Sequence, residues 1–150
     1  MIRLQTSKGL DIPNIQGREI SAFERNWAQD LPTHYPRVCF RTGLSSLYNC
    51  HGLTLAARRT RITDSPWVER IVRDDAYREV SLREALPGDL IIYYDDNGDA
   101  THSGMVVSNE PTLFIPLILS KWGSGPEVIH RLHDVPLVYG TIHHVYRCYL

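Results

Sequence analysis

Hydrophobic periodicity changes at Pro87-Gly88, and that change constrains the fold more than any other feature of the chain. Before it, apolar residues recur three or four apart. After it, short apolar runs are cut by turn residues at close intervals, the pattern of strands joined by hairpins. The run Leu90-Ile91-Ile92-Tyr93-Tyr94 predicts a strand, closed by the turn Asp95-Asp96-Asn97-Gly98-Asp99. A second strand carries His102. Ser108-Asn109-Glu110-Pro111 predicts a turn, and Leu113 to Lys121 a strand in which Pro116 marks an edge or bulge. Gly123-Ser124-Gly125-Pro126 turns again, residues 127–132 and 141–150 are strands, and 136–140 is a loop between them. Helices first and an antiparallel meander after give an α+β class.

The helical half opens with an extended arm over residues 1–19, broken by Gly9, Pro13 and Gly17. Ile20, Phe23, Trp27 and Leu31 form an apolar stripe from Ser21 onward, which Pro32 is expected to end. Residues 33–46 read as a loop. A helix starting at Cys50 is expected to reach about Ile62, and Asp64-Ser65-Pro66 starts a short amphipathic one with Trp67, Ile71 and Val72. Ser81-Leu82-Arg83-Glu84 matches a capping box ahead of Pro87-Gly88. At 150 residues, 43% hydrophobic and 22% charged, the chain is sized for one domain with its own core, and a net charge of -1 calls for no polyanion. The basic residues are 14 Arg and 2 Lys, and Arg37, Arg41, Arg58, Arg59 and Arg61 form either a patch near Cys50 or a solvated face.

Three cysteines, Cys39, Cys50 and Cys148, make no disulfide framework and leave at least one free thiol. No run approaches the ~20 apolar residues of a spanning helix, and the first residues lack a signal-like apolar run. A cytoplasmic product as synthesised is the expectation. Cys50 is the cysteine with chemistry around it. Asn49 as N-cap puts the thiol in the first helical turn, where free N–H groups and the helix dipole favour a thiolate over the ordinary pKa of about 8.5. A lone cysteine is more often buried core, but polar Asn49 and His51 on either side argue for a cleft. Gly52 allows another segment to approach closely. His102, following a turn at the mouth of a strand, is the candidate base. His130, His133, His143, His144 and Cys148 lack metal-ligand spacing, so no metal and no cofactor are expected.

Asn49-Cys50-His51-Gly52-Leu53, then Pro87-Gly88-Asp89-Leu90-Ile91-Ile92, then His102-Ser103-Gly104-Met105 resemble, in order, three motifs of the NlpC-like peptidases of the papain-like superfamily. The resemblance covers roughly residues 36 to 150. It implies a papain-like fold with N-terminal helices packed on an antiparallel sheet. It also implies a thiol peptidase or amidase in which Cys50 attacks a carbonyl, His102 shuttles the proton and Ser120 orients the imidazole. Asn49 and His51 replace the family's Asp and Ser, so its preference for a free amine does not carry over. With Trp122 as cleft wall, they are the expected substrate contacts. The Cys50 N–H, with Tyr48, is the expected oxyanion donor. The family tyrosine a dozen residues before the nucleophile is absent, since Val38 and Cys39 stand there.

The implied substrate is a peptide or amide such as a cell-wall (peptidoglycan) peptide. A signal-less chain acting on it is delivered by a non-Sec route, as an effector or toxin is, with an immunity, delivery or scaffold protein as partner; otherwise its substrate is intracellular. Deamidation, transamidation or acyl transfer by the same pair is the first alternative, and a catalytically weak papain-like binding module the second. Neither nucleic acid nor membrane is an expected partner.

Overall fold

The computed structural model of the chain describes residues 1–110, 112 and 115–150. Three helices, α1 (Ala22–His34), α2 (Cys50–Leu55) and α3 (Ser65–Asp74), accompany seven strands: β1 (Cys39–Phe40), β2 (Tyr77–Val80), β3 (Leu90–Tyr94), β4 (Ala100–Glu110), β5 (Ile115–Lys121), β6 (Glu127–Arg131) and β7 (Ile142–Cys148). The strands form one sheet in the order β1-β6-β5-β4-β3-β7-β2, with every pairing antiparallel. The architecture is α+β. β3 to β6 are the expected meander, whereas β7 crosses back to pair with β3 and then receives β2 on its outer side.

Strand alternation sends side chains to two covered faces. On one face Ile91, Tyr93, Val106, Ile118, Val128 and Val145 pack with Trp27 and Leu31 of α1 and with Val38, Leu132 and Val135. On the other, Leu90, Ile92 and Ala100 pack with Ile12, Ala56, Ile62 and with Val68 and Ile71 of α3. Residues 1–19 supply Ile12 to that second core. They are strapped down by a bridge between Ile15 and Arg61, by Thr6 Oγ1 donating to Asp74 Oδ2 at 3.1 Å, and by Thr60 Oγ1 donating to Asn14 Oδ1 at 2.7 Å.

Several boundaries differ from the sequence pattern. α1 runs past Pro32 to His34, because a proline in the last turn removes one hydrogen bond without disturbing the turns that carry Trp27 and Leu31. Phe23 is 78% exposed, so the packed stripe is Trp27, Ala28 and Leu31. α2 stops at Leu55, six residues long, and not near Ile62. Ala57 and Arg58 take left-handed backbone, and the N–H groups of Ala56 and Arg58 both donate to Gly52 O, closing the helix. β4 continues through the expected turn to Glu110; Pro111, Leu113 and Phe114 lie outside the described residues. Pro116 stands in β5 beyond the end of β6, whose pairing begins at Leu117↔Arg131, so its missing N–H breaks no ladder there.

Candidate active site

α2 docks against β4 and β5. Pairing of β4 with β5 begins only at Gly104↔Ser120, and α2 lies beside the earlier residues of β4. Asn49 fixes the start of the helix: its Oδ1 accepts from Gly52 N at 3.0 Å and Ile62 N at 3.2 Å, and its Nδ2 donates to Ile62 O at 2.7 Å. The N-cap reading therefore holds, with the cap also stapling residue 62. Gly52 is required by closeness. A Cβ there would stand 1.8 Å from Thr60 O.

Cys50 occupies the first turn and borders a cavity of about 900 Å³, together with Asn49, His51, Asp64, Trp67, Asp99 and Tyr139 among others. Cys50 itself is 6% exposed. Its polar neighbours do not keep it open, since Asn49 and His51 are buried too. Burial pushes the thiol pKa up; the backbone N–H groups of Ser103, His51 and Cys50 and the Arg61 guanidinium act in the opposite direction without overturning it. The expectation of a depressed thiol is thus reversed. A six-residue helix with few free N–H groups at the sulfur does not outweigh desolvation.

His102 pairs in register with Tyr93 and shares its face. The ring is fully buried, stacked parallel on Tyr139 at 4.0 Å between centroids, and tilted against Tyr93 at 5.4 Å. Neither ring nitrogen has a hydrogen-bond partner among the described residues, Cys50 and Ser120 included. Burial, then the nearby His130 and His51, hold its pKa well below the ordinary value. At rest the pair is therefore a neutral thiol and a neutral imidazole on adjoining elements, not a thiolate–imidazolium ion pair.

Ser120 serves a different histidine. Its Oγ lies 2.7 Å from His130 Nε2 and accepts from Trp122 Nε1 at 3.2 Å, while His130 Nδ1 is 2.7 Å from Arg131 O. The carbonyl fixes Nδ1 as donor, so Nε2 accepts the Ser120 proton. Trp122, expected as a cleft wall, is fully buried edge-on to Tyr35 at 4.8 Å. Tyr48, expected at the oxyanion, donates instead to Glu127 Oε1 at 2.5 Å, in a cluster with buried Lys121 and exposed Arg58. The arginines near Cys50 are dispersed: Arg58 pairs with Glu127, Arg37 with Asp134, and Arg61 donates to Ser46 O and Ser124 Oγ.

His51 borders the cavity, but its ring is engaged behind it. Nδ1 lies 2.8 Å from Ser103 Oγ, and burial lowers its pKa to about 4. Ser103, Thr54 and Tyr139 were not singled out by the sequence. Ser103 was legible in principle, since strand alternation turns the residue after His102 to the opposite face. Tyr139 carried no local signal, being 37 residues beyond the histidine it covers. No three His, Cys, Asp or Glu side chains among the described residues converge as metal donors. No described helix is long and apolar enough to cross a membrane. Comparison with protein-family models, with curated proteins and with solved structures returned no match.

Proposed function

We propose that the chain is a papain-like thiol hydrolase of the NlpC type that cleaves an amide bond, a peptidoglycan peptide or a related amide being the substrate class. The observation that carries the reading is Cys50 at the N-terminus of α2, bordering a cavity and docked against the strand that bears a histidine with both ring nitrogens unengaged. In that reaction the sulfur bonds to the carbonyl carbon while its proton passes to His102. The imidazolium returns the proton to the leaving amine, and water hydrolyses the thioester. The backbone N–H of Cys50, in the first turn of α2, is the donor available to the developing oxyanion. Asn49, formerly a candidate substrate contact, serves the helix cap.

Deamidation or acyl transfer uses the same acyl-enzyme with another acceptor. A binding module without turnover is favoured by one observation, the Tyr139 ring stacked over His102. One experiment separates these readings: incubate the protein and Cys50→Ala with defined wall peptides, glutamine peptides and amine acceptors, and follow substrate mass. Cleavage by the wild type and none by Cys50→Ala is the expected result. Equal turnover in the two proteins, or none with any substrate together with an inert Cys50, would remove the enzyme reading.

A further inference from the structure

The residue after the nucleophile makes contacts that link the two halves of the proposed catalytic pair. Cys50 and His51 are consecutive on α2, and the His51 ring, 3% exposed, reaches β4. Nδ1 lies 2.8 Å from the Oγ of Ser103, the residue after His102 on the strand. A second tie runs one turn along the helix, where Thr54 Oγ1 lies 2.9 Å from Ser103 Oγ and donates to Cys50 O at 3.2 Å.

We infer that His51 is a positioning residue, a brace that fixes the nucleophile's helix against the strand carrying the base. The inference rests on the thiol-hydrolase reading above. Through Nδ1 the ring is tied to the Ser103 hydroxyl, which Thr54 also meets. The ring and Thr54 thereby hold α2 at Ser103, the residue next to His102. The tolerance is small: strand residues advance about 3.3 Å each, so a slip of one residue would bring His102 to where Ser103 stands and turn Ser103 away. Ser103 is the common node, joined to His51 and Thr54 through its hydroxyl. Its neighbour His102 points to the opposite face. The brace therefore sets the height of the sulfur along β4 without entering the cavity chemistry.

The test reads thiol reactivity and needs no substrate. Iodoacetamide alkylation of Cys50 is followed by mass spectrometry from about pH 5 to 10 in the wild type, His102→Ala, His51→Leu, His51→Asn and Ser103→Ala, with thermal melting as the check on folding. His51→Leu is expected to lower the neutral-pH rate by about tenfold or more and to move the profile toward that of His102→Ala. His51→Asn, whose amide reaches the Nδ1 position, is expected to return the profile to within a few-fold of the wild type. A merely structural histidine would change the melting temperature without this split between Leu and Asn. Should His51→Leu fail to fold, Ser103→Ala removes a single hydroxyl and is expected to shift the profile in the same direction. Coincident wild-type and His102→Ala profiles would overturn the thiol–imidazole reading and the brace with it. Distinct profiles for those two, with both His51→Leu and Ser103→Ala following the wild type, would overturn the brace alone.

Discussion

Ser120 and His102 are two buried polar side chains with opposite situations. Ser120 satisfies His130 Nε2 and Trp122 Nε1, whereas neither ring nitrogen of His102 has a partner among the described residues. Removing the hydroxyl in Ser120→Ala strands two buried nitrogens, which costs about 1–3 kcal/mol each when left unmade. Urea unfolding of Ser120→Ala is expected to show that loss, while Cys50 alkylation keeps the wild-type pH profile; a changed profile would return Ser120 to the catalytic group. A fully buried imidazole whose two nitrogens have no partner among the described residues is an arrangement that folding alone does not favour. The sequence showed which residue types surround the thiol, but not their burial. Polar neighbours indicate solvent only when their own hydrogen bonds are not met by the fold, and Asn49 and His51 have theirs met by Ile62, Gly52 and Ser103.

At the scale of elements, α2 and the 3-10 turn Leu137–Tyr139 decide how the site is presented. The start of α2 was legible because an asparagine cap has a residue signature. Its end was not, because the left-handed residues are Ala57 and Arg58 where a glycine would have announced the stop. Gly52→Ala drives a Cβ into the Thr60 carbonyl, so α2 or the 56–62 loop must shift. An overpacking cost of about 1–3 kcal/mol is expected in denaturant titration, with altered Cys50 alkylation. The 3-10 turn holds Tyr139 over His102, with Thr101 Oγ1 donating to Tyr139 O, while Leu137 and Val138 remain 85% and 78% exposed. Burial is the main reason His102 resists protonation, so Tyr139→Ala, by admitting water, is expected to raise its pKa toward 6.5. Imidazole proton shifts against pH in the two proteins measure this, and an unmoved His102 would mean that Tyr139 is not what keeps it dry.

For the molecule as a whole, buried histidines set the acid limit. His51 and His130 have folded-state pKa values of about 4, against an ordinary 6.5 for the unfolded chain. Between these values the unfolded chain binds protons that the folded one does not, so stability rises with pH there. It is complete above about 6.5 and is lost as pH falls toward 4, at about 1.4 kcal/mol per pH unit for each histidine. Stability from urea titration at pH 7, 6 and 5 is expected to decline accordingly, and His130→Gln to flatten the decline. The sheet was legible from β3 to β6 because those strands are sequential hairpins with turn residues between them. β1, two residues long, β2, and the return of β7 to the far side of β3 were not, because long-range pairing leaves no local period. Lys121, one of two lysines in the chain, is fully buried, with its ammonium donating to Ser45 O, Gly123 O and Gly125 O at 2.7, 3.0 and 2.5 Å. An amine-acylating reagent added to the native protein therefore finds Lys8 and not Lys121, and the share of molecules labelled at Lys121 reports the fraction that have opened.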